Sequence, residues 1–200
     1  MKERPILFSA PMVRALLEGR KTQTRRVVKG VASEWLKPGM FTCEVVASPE
    51  NHLCPYGQPG EALWVKETFA HHVQAVGATR DKDGPFVYAA DGEIAKQYRL
   101  GDKWKPSIFM PRRASRILLE ITAVRVERLQ DINEADAIAE GVEHISDEGP
   151  NCYSVNIGDY SLNAPTAAAT YAYLWDCIKG TGSWDANPWV WVVEFKRIES

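Results

Sequence analysis

The nine residues from Glu18 to Arg26 (EGRKTQTRR) hold four cations, Arg20, Lys21, Arg25 and Arg26, and two hydroxyls, Thr22 and Thr24. A threonine hydroxyl is a weak nucleophile and needs a base. A lysine serves as that base only when its pKa falls far below that of a free amine. Burial and neighbouring cations both lower it, and Arg20, Arg25 and Arg26 surround Lys21 in sequence. Lys21 and Thr24 are three residues apart, which puts them on opposite faces of a straight strand. They meet only if the chain turns between them. Two other roles are open for the same residues. Arg20 and Lys21 can sit in solvent beside the negative end of a helix dipole, a contribution of ~0.3–1 kcal/mol, or the cluster can grip phosphates.

The elements around the cluster favour a turn. Ser9 is placed as an N-cap, Pro11 stands just inside, and Met12, Val13, Leu16 and Leu17 share one helical face. Gly19 then ends this helix where a left-handed residue is wanted. Thr22 to Val28 reads as the strand that follows, with Thr22, Thr24 and Arg26 on one face and Gln23, Arg25 and Val27 on the other. A second helix is expected from about Asn133 to Glu140, stopped by Gly141. A third is expected from near Pro165 to before Gly180, with Leu174, Cys177 and Ile178 on its apolar side. Strands are expected at 41–47, 62–69, 86–90, 117–129 and 189–198, all rich in β-branched and aromatic residues. The polar stretches 144–163 and 80–84 read as loops. The pattern predicts one α+β domain over 1–200, built around a small barrel or a strongly bent sheet.

Bulk composition narrows the function classes. Twenty-four Lys and Arg against twenty-six Asp and Glu leave a formal charge of −2. That balance argues against a general nucleic-acid binder, so an anionic partner has to be met locally. No stretch reaches the roughly 20 apolar residues of a membrane span, and Ser9 and Pro11 break the short apolar opening. A cytoplasmic protein without membrane contact is expected. The four cysteines, Cys43, Cys54, Cys152 and Cys177, form no Cys-x-x-Cys pair. A zinc site would need Cys43, His52 and Cys54 to converge with a fourth ligand, and neither a metal nor another cofactor is expected.

Gly19, Lys21, Thr24 and Arg26 match the G-x-K-x-x-T-x-R signature of the ASCH family, whose members have a small PUA-like β-barrel. PGEALWVKETF (59–69), MPRRASRILLEITAVRVERLQDI (110–132) and NPWVWVVEF (187–195) resemble the longer ASCH proteins of tailed phages and prophages. The resemblance leaves 71–109 and 142–186 as insertions relative to the minimal domain. It implies the closed barrel, and it implies an activity. Small bacterial members include an amidohydrolase of N4-acetylcytidine, in which the motif threonine is the proposed nucleophile, the motif lysine its base and a downstream glutamate the proton donor. Carried over, these are Thr24, Lys21 and Glu140, with Glu134 the competing carboxylate. Arg26, or backbone N–H groups at the corner after Gly19, are the expected oxyanion donors.

Two further groups are candidates for substrate contact. Glu67, beside Lys66, lies on a strand that often borders the presumed pocket in this family. Lys103, Lys105, Arg112, Arg113 and Arg116 form a second basic cluster, opposed nearby only by Asp102 and interleaved with Trp104 and Phe109. That mixture suits single-stranded RNA. Trp189 and Trp191 share a strand face, and either can wall a base pocket. Two functions therefore stand side by side: an amidohydrolase of an acylated nucleoside or base, and an RNA-binding module without amidohydrolase activity, in one variant RNA-cleaving.

Overall fold

The computed structural model describes residues 1–73, 85–99, 101, 103–145, 152–157 and 160–198. In chain order the elements are β1 (Glu3–Leu7), α1 (Ala10–Leu17), β2 (Gln23–Val27), α2 (Val31–Trp35), α3 (Cys43–Ala47), β3 (Ala62–Lys66), β4 (Phe69–His71) and β5 (Phe86–Tyr88). There follow α4 (Glu93–Tyr98), β6 (Leu118–Arg128), α5 (Glu134–Ala139), β7 (Glu143–His144), β8 (Tyr153–Ile157), β9 (Tyr160–Ala164), α6 (Ala167–Lys179) and β10 (Trp189–Ile198).

A five-stranded sheet in the order β1-β3-β6-β10-β2 carries the core. Only β1 and β3 are parallel; the other neighbours are antiparallel. β10 is covered on both faces, and Val190, Trp191, Val192, Val193 and Phe195 are all buried. That coverage explains why its sequence is a near-continuous apolar run rather than an alternation. α1 buries Met12, Val13, Ala15 and Leu16 into the same core. Two small sheets, β4-β5 and β7-β8-β9, complete a mixed α+β fold dominated by strands.

The closed barrel implied by the family resemblance does not form. β1 and β2 are the two edges, and no backbone ladder joins them among the described residues. β1 carries Pro5, which lacks an N–H and belongs on an edge. What spans the gap is a side chain: Arg26 Nη2 on β2 donates to the carbonyl of Leu7 on β1 at 2.9 Å.

The three expected helices are present; the Asn133 and Thr166 side chains cap theirs, while Ser9 holds the N-cap position without a capping side-chain bond. Two other expectations fail. Residues 41–47 contain α3, not a strand. The Thr42 side chain accepts from the N–H of Val45, and Val46 packs into the core. Local capping overrides β propensity there. Within the stretch 144–163, read as a loop, β7, β8 and β9 form a sheet that supports α6. Residues 80–84 lie outside the described residues.

Glu134 has a structural task. Its carboxylate accepts from the N–H groups of Ala167 at 2.7 Å and Ala168 at 3.2 Å, capping α6 in place of an intrahelical partner. Glu134→Ala is expected to lower unfolding free energy by about 1 kcal/mol, the worth of a typical cap. Denaturant titration checks the value, and a variant as stable as the parent removes the capping role.

Candidate active site

Two helices that stop at glycine meet at the site. α1 ends at Glu18, and Gly19 adopts φ +76°. Arg20 and Lys21 then donate their N–H groups to the Ala15 carbonyl, folding the chain into a corner before β2. α5 ends at Glu140, and Gly141 follows at φ +105°. A Cβ on Gly141 would lie 3.4 Å from Ala15 Cβ and 3.7 Å from Lys21 Cβ, ordinary contact distances, so the positive φ and not a lack of space is what calls for glycine here. The N–H of Thr22 donates to the Ala139 carbonyl at 2.8 Å and locks the two helix ends together.

Lys21 is buried at this junction. Its Nζ donates to Glu140 Oε2 at 2.7 Å and to the Glu140 carbonyl at 2.8 Å. The cation therefore sits at the C-terminus of α5, not at that of α1 as the dipole reading had it. Arg25 is the second buried cation. Its guanidinium reaches Glu140 Oε1 at 3.3 Å, Glu127 Oε1 at 2.5 Å and Asp136 Oδ2 at 2.9 Å. Arg125 shares Asp136 Oδ2 at 2.9 Å and Glu127 Oε2 at 3.0 Å, and also pairs with Glu194. Each buried charge thus has a partner of opposite sign, as burial demands.

Beside this network lies a cavity of about 440 Å³, in the gap between the unpaired edges β1 and β2. Lys21, Thr24, Arg25, Arg26 and Glu140 line it on the polar side. Phe8, Met12, Ile157, Tyr171, Leu174 and Trp175 supply apolar wall, and Tyr56 also borders it. The volume suits one small-molecule ligand. Thr24 is 1% exposed, and its Oγ1 has no hydrogen-bond partner among the described residues. The corner therefore brings Lys21 and Thr24 to one cavity without a hydrogen bond between them.

Burial lowers the Lys21 ammonium below its ordinary value. The Glu140 carboxylate opposes this without cancelling it, and Arg26 and Arg25 add to it. Tyr171, on α6, is fully enclosed. Burial holds its phenol well above its ordinary range, and the adjacent Glu140 carboxylate strengthens the effect. The hydroxyl at the site is consequently a proton-bearing group. Sequence reasoning missed Tyr171. The available signal was the spacing Ala167, Thr170, Tyr171, Leu174, Trp175, the face that α6 buries. Of the residues expected on that face only Leu174 is buried. Cys177 and Ile178 are exposed, Ile178 at the cavity mouth.

Other sequence candidates lie elsewhere. Gly19 shapes the corner and does not line the cavity. Glu67 is buried in a separate cluster, held by Arg116 through Nε–Oε1 at 2.9 Å and Nη2–Oε2 at 3.0 Å. Burial raises the Glu67 carboxyl, and Arg116 only partly offsets that. Arg116 also pairs with Asp91 at 2.7 Å and covers the Tyr88 ring at 4.0 Å. Arg112 pairs with Glu3 at 2.6 Å. Two arginines of the second basic cluster, Arg112 and Arg116, thus meet carboxylates brought from distant sequence, while Asp102 lies outside the described residues. Trp191 is core, and Trp189 stacks under Arg128 at 4.0 Å. Neither lines the cavity; the tryptophan that does is Trp175. No three His, Cys, Asp or Glu side chains converge to hold a metal among the described residues, and no helix there is long and apolar enough to cross a membrane.

Comparison with protein-family models, curated proteins and solved structures finds no match to this chain.

Asp136 gives the network a pH signature. Burial would raise its carboxyl, but Arg25 and Arg125 outweigh burial and hold it below its ordinary value. Stability from a depressed carboxylate is complete above the unfolded pKa, about 3.9, and is lost as pH falls through the folded value. The stability difference between wild type and Asp136→Asn is therefore expected to be constant near neutrality and to shrink below about pH 4. Urea titrations across pH 3–7 test this, and a difference independent of pH would contradict it.

Proposed function

We propose that the protein is an amidohydrolase of an acylated nucleoside or base such as N4-acetylcytidine, with Thr24 as nucleophile, Lys21 as base and Glu140 as acid. The observation that carries this reading is the 2.7 Å hydrogen bond from Lys21 to Glu140 on the wall of a cavity that the buried Thr24 also lines. The signature Gly19-x-Lys21-x-x-Thr24-x-Arg26 supports membership of the ASCH family, with the open five-stranded sheet as a variant of its small barrel.

The chemistry needs two protonation states at once: a neutral amine to accept a proton and a neutral acid to give one. Shifting a single proton from Lys21 Nζ to Glu140 Oε2 creates both. Thr24 Oγ then adds to the acyl carbon as its proton passes to Lys21. The C–N bond breaks, and the exocyclic amine leaves with the proton from Glu140. Water hydrolyses the resulting threonyl ester. The amine of a cytosine ring leaves more readily than an alkylamine because the ring takes up its electrons. For the oxyanion, the corner after Gly19 is unsuited, since the N–H groups of Gly19, Arg20, Lys21 and Thr22 already have acceptors. Arg26, whose guanidinium lines the cavity, is the remaining donor from the expected set.

A second reading, an RNA-binding module, is favoured by the cavity mouth. Lys179 is lowered by burial and further by Arg26 and Lys29, which marks a local concentration of cations. Such a rim attracts phosphate.

Cytidine release from N4-acetylcytidine separates the two. Wild type is expected to turn over, and Thr24→Ala and Lys21→Arg to lose at least about 10²–10⁴-fold in rate, arginine being unable to act as a base near neutral pH. No turnover by folded wild type would sink the amidohydrolase. RNA binding that weakens with salt and survives Lys21→Arg would then support the second reading.

A further inference from the structure

The gap that holds the cavity is bounded by two strand edges, and the ladders fix which main-chain groups face it. In the parallel pair β1–β3, Ala62 N–H donates to the Lys2 carbonyl at 3.0 Å and Phe8 N–H to the Lys66 carbonyl at 3.1 Å. Lys2, Arg4, Ile6 and Phe8 therefore turn their N–H and C=O groups toward β3, and Glu3, Pro5 and Leu7 turn theirs away from it. The Leu7 carbonyl bears this out, since it accepts from Arg26 Nη2 on β2 at 2.9 Å. Proline has no N–H, and Glu3 does not line the cavity. That leaves Leu7 N–H, which faces the gap without a partner among the described residues.

The opposite edge offers less. Val28 N–H donates to the Trp189 carbonyl at 2.9 Å and Arg26 lies opposite Trp191, so Arg25 N–H also faces away from β10. Arg25 is only 1% exposed, whereas Leu7 is 46% exposed and lines the cavity. Beside Leu7 stands the Arg26 guanidinium, held by the Leu7 and Arg25 carbonyls and packed 5.2 Å from the centre of the Phe8 ring. No carboxylate pairs with Arg26 among the described residues, and its other N–H groups remain for a ligand. A fixed main-chain donor and a fixed cation thus stand side by side on one cavity wall.

We infer that the main-chain N–H of Leu7 is a catalytic donor that, with the Arg26 guanidinium, forms a two-donor oxyanion hole for the acyl oxygen of the substrate. The inference rests on the hydrolase reading of the cavity. As Thr24 Oγ adds to the acyl carbon, the carbonyl π pair moves onto that oxygen, and it returns as the C–N bond breaks. Donors already fixed by the fold stabilise this charge without reorganising at the moment of reaction. Edge strand β1 supplies one such donor and β2 the other.

Leu7→Pro deletes the N–H alone from the main chain. Proline is tolerated on an edge strand where its nitrogen faces away from the ladder, and β1 already holds Pro5 in that orientation. With N4-acetylcytidine the variant is expected to lose about 10²–10³-fold in kcat with KM within about twofold. Binding is measured alongside turnover with two cytosines, one acetylated on N4 and one carrying an anionic, tetrahedral methylphosphonyl group there. Leu7→Pro is expected to weaken the phosphonyl compound at least about tenfold and to leave N4-acetylcytosine within about twofold. Amide proton–nitrogen spectra of leucine-labelled wild type cover the case in which Leu7→Pro misfolds or weakens both ligands alike. The Leu7 amide proton should then move downfield with the phosphonyl compound, and an unmoved resonance overturns the inference. Unchanged kcat in Leu7→Pro, or phosphonyl affinity that survives it, overturns the inference and leaves the hydrolase standing. A Leu7-dependent phosphonyl affinity without turnover by wild type removes the hydrolase and retains Leu7 and Arg26 as an anion-binding pair. Binding of neither cytosine overturns both.

Discussion

The buried pair Lys21–Glu140 is the constraint around which the rest of the site is arranged. Charges removed from water are tolerated only when closely paired, and removal of one partner typically costs about 3–5 kcal/mol. The pair joins residues 119 apart in sequence, so the fold must deliver two separate helix ends to one point. Gly19 and Gly141 release those ends at positive φ, and the Thr22–Ala139 backbone bond clamps them. Arg25 then occupies the second oxygen of Glu140 and passes the charge balance outward to Glu127, Asp136 and Arg125. The result is a carboxylate fixed on both oxygens and an ammonium fixed on two acceptors. Neither is free to wander, which is what proton transfer across a cavity wall requires.

The same region explains why there is room for a ligand. A closed ladder between β1 and β2 would leave no gap, and Pro5 together with the Arg26–Leu7 link replaces that ladder. The gap is walled on its open side by α6, whose start is capped by Glu134 from α5. α6 lies within the stretch 142–186, beyond the segments that carry the motif likeness. That stretch contributes Tyr171, Leu174 and Trp175 to the cavity. It therefore helps to define which ligand fits, independently of Lys21, Thr24 and Glu140.

Much of this was legible in the sequence because it depends on local signals. Ser9 and Asn133 stand at the starts of their helices, Gly19 and Gly141 close them, and the apolar runs of β6 and β10 are strands. The Lys21–Thr24 corner and the choice of Glu140 over Glu134 are compatible with the geometry, since Glu134 is committed to capping α6. What could not be read is where distant partners arrive. Arg112 and Arg116 read as part of a basic cluster opposed only by Asp102, and Glu67 as a separate candidate beside Lys66, yet Glu3, Asp91 and Glu67 itself neutralise these two arginines. Trp189 and Trp191 were plausible base-stacking residues, but strand pairing turns them to other tasks and α6 supplies Trp175. The misreading of 41–47 has a local cause: Thr42 offers a cap to a segment whose side chains favour a strand.

The proton balance of the pair follows from the same geometry. Burial disfavours a charged Lys21, and the Glu140 carboxylate at 2.7 Å only partly offsets this. Moving the proton along the Lys21–Glu140 bond leaves the net charge of the network unchanged but converts two buried charges into none. A ligand that fills the cavity lies against Lys21 and removes what solvent reaches it, which deepens the desolvation that already disfavours the ammonium. Under the proposed reading, ligand binding itself drives the pair toward the neutral amine and neutral acid that the reaction uses. An empty cavity keeps the ion pair that holds α1 and α5 together.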